Sequence, residues 1–277
     1  MTDFTLAFIG GGNMAGSLIG GLIADGWPPG RIQVADTDAA RTTQLVERFS
    51  VIASRDHCEA VANADAVILA VKPQVLHEVA GQIAPAIGRQ QPVVISIAAG
   101  IRESSLRNWL GEDTAIVRCM PNTPAMVQSG ATALYANPRV SEAQRSLAES
   151  VLRAVGLALW VDDEVQMDAV TALSGSGPAY FFLFMEALQA AGTELGLPAD
   201  TARLLTLQTA FGAAKMALES REDAATLRRR VTSPGGTTER AIEVFMQAGI
   251  ESSVLRALQA AAARSRELAD ELGEDAS

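Results

Sequence analysis

Residues 10–15, with the sequence GGGNMA, have the types and spacing that bind the pyrophosphate of a dinucleotide. They form a GxGxxA version of the dinucleotide fingerprint directly after the apolar run 6–9. Gly10 permits a tight turn, Gly12 lets the backbone approach the pyrophosphate, and Ala15 lets the next helix pack closely on the strand. Glycine-rich turns are common, but here strand, loop, helix and second strand follow in order. We therefore predict a nucleotide site.

Asp36 stands at the end of the second predicted strand, about 20 residues beyond the glycine loop. A carboxylate there can bond the adenosine ribose hydroxyls and repels a 2′-phosphate, which favours NADH. The alternative is that Asp36 or Asp38 only caps the following helix. Arg41 is the first cation after this point, and whether it reaches a phosphate is left open.

Three further predicted strands end in residues that suit the nicotinamide half of a dinucleotide. Lys72 lies in the segment 70–73 (AVKP), at the carboxyl edge where open α/β sheets bind ligands. Its alternative interpretation is a solvated lysine before a proline that opens a helix. The segments 97–100 (IAAG) and 120–122 (MPN) end later strands, and their small or conformationally fixed residues suit a flat ligand.

Two segments in the second half combine hydroxyl groups with glycines just before a helix. They are residues 173–179 (LSGSGPA) and 233–238 (SPGGTT). Free N–H groups at a helix start and nearby hydroxyls can hold a carboxylate or another small polar group. The first segment is equally consistent with a helix cap and a close helix crossing. The arginine run 228–230 is interpreted as a solvated face.

The histidines argue against reduction of a ketone. Such a reaction needs a general acid for the oxygen, commonly His or Lys. The chain has two histidines, His57 and His77, and both lie in its first half, far in sequence from the polar caps. A cyclic iminium already carries its positive charge and accepts hydride without a strong acid, so these residues favour C=N reduction.

The elements that must position these residues follow an alternating pattern over the first 160 residues or so. Short apolar runs alternate with amphipathic stretches, which is typical of a doubly wound α/β sheet of parallel strands. We predict strands at residues 5–10, 32–36, 51–53, 66–71, 93–98, 115–120, 132–135 and 158–161. The predicted helices are residues 14–25, 39–49, 75–87, 103–109 and 142–155, with caps such as Asp38 and Ser141.

After the acidic connector 162–164 the strand signals stop, and the rest of the chain is predicted to be helical. Long apolar helices are expected at residues 177–195, 198–220, 237–247 and 250–272. This divides the chain into a dinucleotide-binding domain, 1–162, and an all-helical substrate and dimerisation domain, 163–277. Apolar helices of this kind bury poorly alone, so we expect a homodimer.

Charge and cysteine usage exclude several other classes. The 22 Lys and Arg against 32 Asp and Glu give a net charge of −10, which disfavours nucleic acid and anionic membrane partners. Cys58 and Cys119 lack CxxC spacing, so neither a disulfide framework nor a metal site is expected and a reducing cytoplasm fits. The uncharged stretch 4–24 is broken by glycines and the run 179–185 is short, so no membrane span is expected.

Taken together, these motifs resemble the pyrroline-5-carboxylate reductase family over nearly the whole chain. The resemblance rests on residues 8–15, 70–73, 96–100, 118–124, 172–179 and 231–238. It implies NAD(P)H-dependent reduction of 1-pyrroline-5-carboxylate to proline, the last step of proline biosynthesis. It also implies that two helical domains interlock, and larger rings of dimers occur in the family.

The residue patterns described above and the resemblance together give candidate roles to individual residues. The catalytic candidate is Thr238, as the hydroxyl nearest the imine. The substrate-binding candidates are Ser176, Ser233, Gly236, Thr237 and Thr238. The cofactor-binding candidates are Ile9, Gly10, Gly11, Gly12, Asn13, Met14, Asp36, His57, Ala70, Val71, Lys72, Pro73, Ile97, Ala98 and Ala99.

This sequence departs from the family pattern at two positions. His57 stands where relatives carry Asn near the adenosine ribose, and Arg221 stands where some carry Glu near the substrate amine. Relatives often prefer NADPH, whereas Asp36 favours NADH, so the cofactor is predicted as NADPH or NADH.

Two rival functions are kept open. A β-hydroxyacid dehydrogenase would place a catalytic lysine shortly after its glycine-rich segment, but residues 180–182 lack one, and Lys215 is the single lysine of the helical half. A non-catalytic nucleotide sensor would keep the glycine loop but would not need two polar caps in its second domain.

Overall fold

The computed structural model describes residues 3–54 and 56–274. The chain divides into two compact units. The first contains Met1–Ser176 together with Ala261–Ser277, and the second is Gly177–Ala260.

An eight-stranded sheet forms the centre of the first unit, in the order β3-β2-β1-β4-β5-β6-β7-β8. All eight predicted strands are confirmed, each within about two residues of its predicted ends. The strands are β1 (Leu6–Ile9), β2 (Ile32–Ala35), β3 (Ile52–Ser54), β4 (Ala66–Leu69), β5 (Val93–Ser96), β6 (Ile116–Met120), β7 (Gly130–Ala136) and β8 (Gly156–Trp160).

The last two strands correct the expectation of a wholly parallel sheet. β1 to β6 run parallel, but β7 pairs antiparallel with β6, and β8 pairs parallel with β7. The connection between β6 and β7 spans residues 121–129 and holds only the 3₁₀ turn Thr123–Val127. A parallel crossover needs a dozen or more residues, usually with a helix, so this short connection reverses the chain.

In the part of the first unit that precedes Gly177, the described residues form seven α-helices. The five predicted helices are confirmed, and the five-residue helices at 57–61 and 166–170 are additional because they are too short to show a periodic pattern. The helices are α1 (Asn13–Ala24), α2 (Ala39–Phe49), α3 (His57–Val61), α4 (Pro73–Gln90), α5 (Glu103–Leu110), α6 (Glu142–Arg153) and α7 (Gln166–Val170).

Two apolar cores lie on opposite faces of the sheet. Phe8 of β1 packs with α1 and α6 on one face, whereas its neighbours Ala7 and Ile9 pack with α4 and α5 on the other. Side chains alternate across a strand, so a strand covered on both faces must be apolar throughout. β1, β4 and β5 are buried at every position, which holds the loops at their carboxyl ends on a rigid edge.

Residues beyond the predicted boundary at 162 also belong to the first unit. Arg118 of β6 is buried and its Nη1 lies 2.8 Å from Oε1 of Glu164. Ser265 donates a hydrogen bond of 2.7 Å to Asp168, and Leu272 lies against Gly100. These contacts explain why the first unit extends to Ser176 and takes in the last part of the C-terminal helix.

The second unit is entirely helical, and the predicted helices are confirmed. It contains α8 (Gly177–Glu194), α9 (Ala199–Glu219), α10 (Ala224–Arg230), α11 (Thr237–Gln247) and the first part of α12 (Ile250–Glu274). Within it, the rings of Phe184 and Phe245 lie 6.0 Å apart and join α8 to α11. The arginine run 228–230 forms the last turn of α10, an element that the sequence pattern did not reveal.

None of the helices in the described part of the chain has the length and apolar character needed to span a bilayer.

Candidate functional site

The glycine loop after β1 has the conformation that a pyrophosphate site needs. Gly10 has φ +103°, and its N–H donates to the carbonyl of Ala35 at 2.8 Å. A Cβ at Gly10 would lie 2.7 Å from the carbonyl oxygen of Ala70. Only glycine therefore fits between β2 and β4 at this point, as the sequence predicted.

The next residues leave room for a ligand at the start of α1. Gly12 is the extended residue before the helix, and none of the described residues has an atom within 4 Å of the position where its Cβ would be. The first N–H groups of α1 have no carbonyl partner in a preceding turn, and the helix dipole adds positive potential there. Gly11, Gly12 and Asn13 line a cleft of about 430 Å³. The loop therefore fits a dinucleotide pyrophosphate.

Asp36 holds the glycine loop through its side chain. Its Oδ2 accepts the N–H of Gly11 at 2.7 Å, and its Oδ1 accepts the N–H of Asp38 at 2.8 Å. The carboxylate is buried. The sequence assigned Asp36 to the ribose and helix capping to Asp36 or Asp38. The structure gives Asp38 the cap, since its Oδ1 accepts the N–H of Ala40 at 3.0 Å.

The other predicted cofactor residues lie at the ends of neighbouring strands. Because β2, β1, β4 and β5 are adjacent and parallel, their following loops share one edge of the sheet. Lys72 is exposed and precedes Pro73, the first residue of α4. Ile97 donates its N–H to the carbonyl of Leu69 at 3.2 Å, which ties the 97–99 segment to the end of β4.

The two histidines differ in their surroundings. His57 is buried at the start of α3, which is capped by the carboxylate of Asp56. His77 lies on α4, and its ring stands 5.0 Å from that of Trp109 on α5. The protein thus uses His77 in a contact between two helices.

A π-helical turn, Thr171–Gly175, carries the first hydroxyl-rich segment. The N–H of Ser176 donates to the carbonyl of Thr171 at 2.9 Å, and this longer loop marks the π geometry. Asn122 binds this turn. Its amide donates to the carbonyl and to Oγ of Ser174, both at 3.2 Å, and accepts the N–H of Ala131 at 2.9 Å.

Sequence reasoning placed Asn122 at a strand end but missed this link to Ser174. The partners are 52 residues apart in the chain, and no local pattern connects them. The MPN segment supplied the only signal, a side-chain amide at the carboxyl edge of a strand.

The second hydroxyl-rich segment, 233–238, lies in the second unit and ends in α11. Gly235 has φ +70°, and Gly236 donates its N–H to the carbonyl of Ser233 at 3.0 Å. Thr237 is the first residue of α11, so the N–H groups of Thr237 and Thr238 point away from any preceding helical turn. These N–H groups can donate hydrogen bonds to an anion, and the substrate-binding role of this turn stays a prediction.

Glu239 stabilises this turn, which sequence reasoning did not anticipate. Its Oε2 accepts the N–H of Gly235 at 2.7 Å. An acidic residue at the third helical position commonly reaches back over a helix start, so its place in the TTE sequence was an available signal.

Of the other ionisable groups, Cys119 and Lys215 show no features of a catalytic residue. Burial raises the pKa of the Cys119 thiol far above its ordinary value, which keeps it uncharged and unreactive. Lys215 is exposed within the second unit, and its Nζ lies 3.8 Å from Oε1 of Glu219.

Two family models match the chain. Residues 164–268 match the pyrroline-5-carboxylate reductase dimerisation domain, and residues 5–100 match a domain described as NADP oxidoreductase, coenzyme F420-dependent. A pyrroline-5-carboxylate reductase of Pseudomonas aeruginosa is 55% identical over 274 residues, which cover 99% of this chain and all of that protein. The chain belongs to the pyrroline-5-carboxylate reductase family.

Other reductases of this family match along the same length. A pyrroline-5-carboxylate reductase of Arabidopsis thaliana is 38% identical over 96% of each chain. The structure of a pyrroline-5-carboxylate reductase from Coxiella burnetii has a TM-score of 0.93 and 46% identity, covering 96% of this chain and 98% of that one. The Plasmodium falciparum reductase with NADP bound has a TM-score of 0.85 and 27% identity, covering 97% and 99%.

Remote neighbours of the reductase family share the fold alone. A Mycobacterium tuberculosis 3-hydroxyisobutyrate dehydrogenase has a TM-score of 0.52 at 17% identity, covering 98% of this chain and 94% of that one. The β-hydroxyacid dehydrogenase alternative therefore rests on a likeness of fold alone.

Proposed function

We propose that the protein reduces 1-pyrroline-5-carboxylate to L-proline with NAD(P)H. The observation that carries this proposal is the likeness to named reductases over 99% of the chain, which includes both the glycine loop and the 233–238 turn. A match confined to the first unit would support dinucleotide binding alone.

In this proposal the two units have separate tasks. The glycine loop and the start of α1 bind the pyrophosphate, while Lys72, Pro73 and the 97–99 segment flank the nicotinamide half. When bound, the dinucleotide supplies hydride from C4 of its nicotinamide ring to C5 of the imine. The N–H groups of Thr237 and Thr238 would bind the substrate carboxylate, and the Thr238 hydroxyl would be the one nearest the ring nitrogen.

Reduction of the imine does not need a strong proton donor. In the iminium form the ring nitrogen is already protonated, so hydride adds to C5 and the electrons of the C=N bond become a lone pair on nitrogen. Positioning and electrostatic stabilisation then supply most of the rate acceleration. This agrees with a site of hydroxyl and backbone N–H groups. The two histidines belong to α3 and α4 of the first unit.

Self-association forms part of the proposal. Among the residues the structure describes, Ala202 is the one buried apolar side chain of the second unit. Many large apolar side chains are exposed there, each by more than 60%: Phe181, Phe182, Leu183, Leu204, Phe211 and Leu218. Exposed apolar surface of this extent marks an interface. We propose a homodimer formed through these helices, with rings of dimers as the larger assembly.

We also propose that the reaction takes place in the cytoplasm, where glutathione and thioredoxin keep thiols such as Cys58 reduced.

One assay separates this function from its rivals. Purified protein is given NADPH or NADH, and loss of the absorbance of the reduced nicotinamide is followed with and without 1-pyrroline-5-carboxylate. We expect oxidation that depends on the imine and yields proline. If the reduced dinucleotide is oxidised with a 3-oxo acid instead of the imine, the protein is a β-hydroxyacid dehydrogenase. If the dinucleotide binds without turnover, the protein is a nucleotide sensor.

A further inference from the structure

Both carboxylate oxygens of Asp36 are used in hydrogen bonds to the backbone. They accept main-chain N–H groups, from Gly11 at 2.7 Å and from Asp38 at 2.8 Å. Its side chain is 8% exposed. Its contacts link the glycine loop to the start of α2, and this structural role exists whichever dinucleotide binds.

Arg41 lies beside this carboxylate at the carboxyl end of β2. Its Nη1 is 3.6 Å from Oδ2 of Asp36, and its Nε is 3.3 Å from Oδ2 of Asp38. The Arg41 side chain is 51% exposed and that of Asp38 is 50% exposed. In a dinucleotide fold this position meets the adenosine ribose, and a nearby arginine accommodates a 2′-phosphate.

The contact between Arg41 and Asp38 is weak enough to exchange. Both side chains are about half exposed, and solvent screening weakens an ion pair at such positions. A 2′-phosphate carries about −1.5 to −2 charges and offers three acceptor oxygens, and a guanidinium can bind it through two parallel hydrogen bonds. With its greater charge and its additional acceptor oxygens, a phosphate can compete with the Asp38 carboxylate for this side chain.

We propose that Arg41 binds the 2′-phosphate of NADPH and that Asp38 competes with the phosphate for it. This inference deepens the proposed function, because it concerns the cofactor choice of the same site. Asp38 lowers the advantage of NADPH by holding Arg41 in the free protein and by repelling the phosphate. Arg41 and Asp38 together set the ratio of the two cofactor affinities, while Asp36 keeps the loop in place.

The test measures binding by isothermal titration calorimetry with NADP⁺ and NAD⁺, without substrate. Arg41→Ala should weaken NADP⁺ binding by about 10- to 100-fold, the range for a charge-assisted contact, and change NAD⁺ binding by less than about threefold. Asp38→Asn should tighten NADP⁺ binding several-fold, because it removes the negative charge that competes for Arg41. The helix cap is kept, because asparagine caps a helix as well as aspartate does. In the double variant Arg41→Ala, Asp38→Asn this gain should disappear.

Arg139→Ala is the matched control. Arg139 is similarly exposed and pairs with Asp113 at 3.0 Å, but it follows β7 beside the start of β6, at the opposite edge of the sheet. It should leave both affinities unchanged, so a fall in NADP⁺ binding there would show that charge alone produces the effect and would overturn the proposal.

Two other results would also overturn it: equal weakening of NADP⁺ and NAD⁺ by Arg41→Ala, and an Asp38→Asn gain that survives without Arg41. The calorimetry needs no turnover, so failure of the proposed function and failure of this inference are distinguishable. A protein that fails to reduce 1-pyrroline-5-carboxylate can still show the predicted binding ratios.

Discussion

At the residue scale, contacts in the folded protein require a particular residue type at a few positions, and only some of these contacts can be predicted from the sequence. Gly10 could be predicted, because its place between a strand and a helix asks for a positive φ, and the structure has it at +103°. The hydrogen bond from the Gly11 N–H to Asp36 could not be predicted, because the two residues lie 25 positions apart and the dinucleotide fingerprint assigns this carboxylate to the ribose.

Thr238 is the residue whose hydroxyl matters most to the proposed chemistry. Replacing Thr238 by Ala should lower turnover of 1-pyrroline-5-carboxylate by about 10- to 1000-fold, the range for losing an active-site hydrogen bond. Steady-state kinetics at saturating dinucleotide measure this. Thr238→Ser keeps the hydroxyl and should retain most activity, and unchanged kinetics in the alanine variant would remove Thr238 from the mechanism.

At the element scale, strand positions were predictable and strand direction was not. The buried strands are short apolar runs between turn residues, so the pattern marked all eight. An apolar run has no direction, and only the short 121–129 connection shows that β7 reverses. Five-residue helices such as α3 also escape periodicity, whereas the Ser141 cap of α6 was predicted and forms a full capping box with Gln144.

The end of α6 carries a pH-sensitive contact with β8. Glu149 accepts a hydrogen bond from Nε1 of Trp160 at 2.8 Å and lies 3.0 Å from Arg153. The Trp160 bond, with a smaller effect of Arg153, lowers the pKa of Glu149 below its ordinary value of 4.5. A lowered folded-state pKa contributes stability above the unfolded-state pKa, and that stability is lost as pH falls through the folded value.

Glu149→Gln should therefore flatten the acid side of the stability profile. Urea unfolding measures the free energy of unfolding of wild type and variant between neutral pH and pH ~3. At neutral pH the wild type should be more stable by less than about 1 kcal/mol, as expected for a surface contact, and this difference should shrink as pH falls. A difference that grows on acidification would contradict the assigned cause.

At the scale of the whole molecule, composition alone indicated that the helical half needs a partner. Its helices are apolar on more than one face, and a single copy buries little of that surface. The dimerisation family model over residues 164–268 agrees with this reasoning. The boundaries of the two compact units were less predictable. Contacts such as the ion pair between Arg118 and Glu164 make residues beyond 162 part of the first unit.

The most direct measurement follows the hydride itself. The protein is incubated with 1-pyrroline-5-carboxylate and NAD(P)H that carries deuterium at C4 of the nicotinamide, on the face from which transfer occurs, and the proline is examined by NMR and mass spectrometry. We expect one deuterium at C5 of L-proline for each dinucleotide oxidised. Proline without deuterium, or label at another carbon, would contradict it.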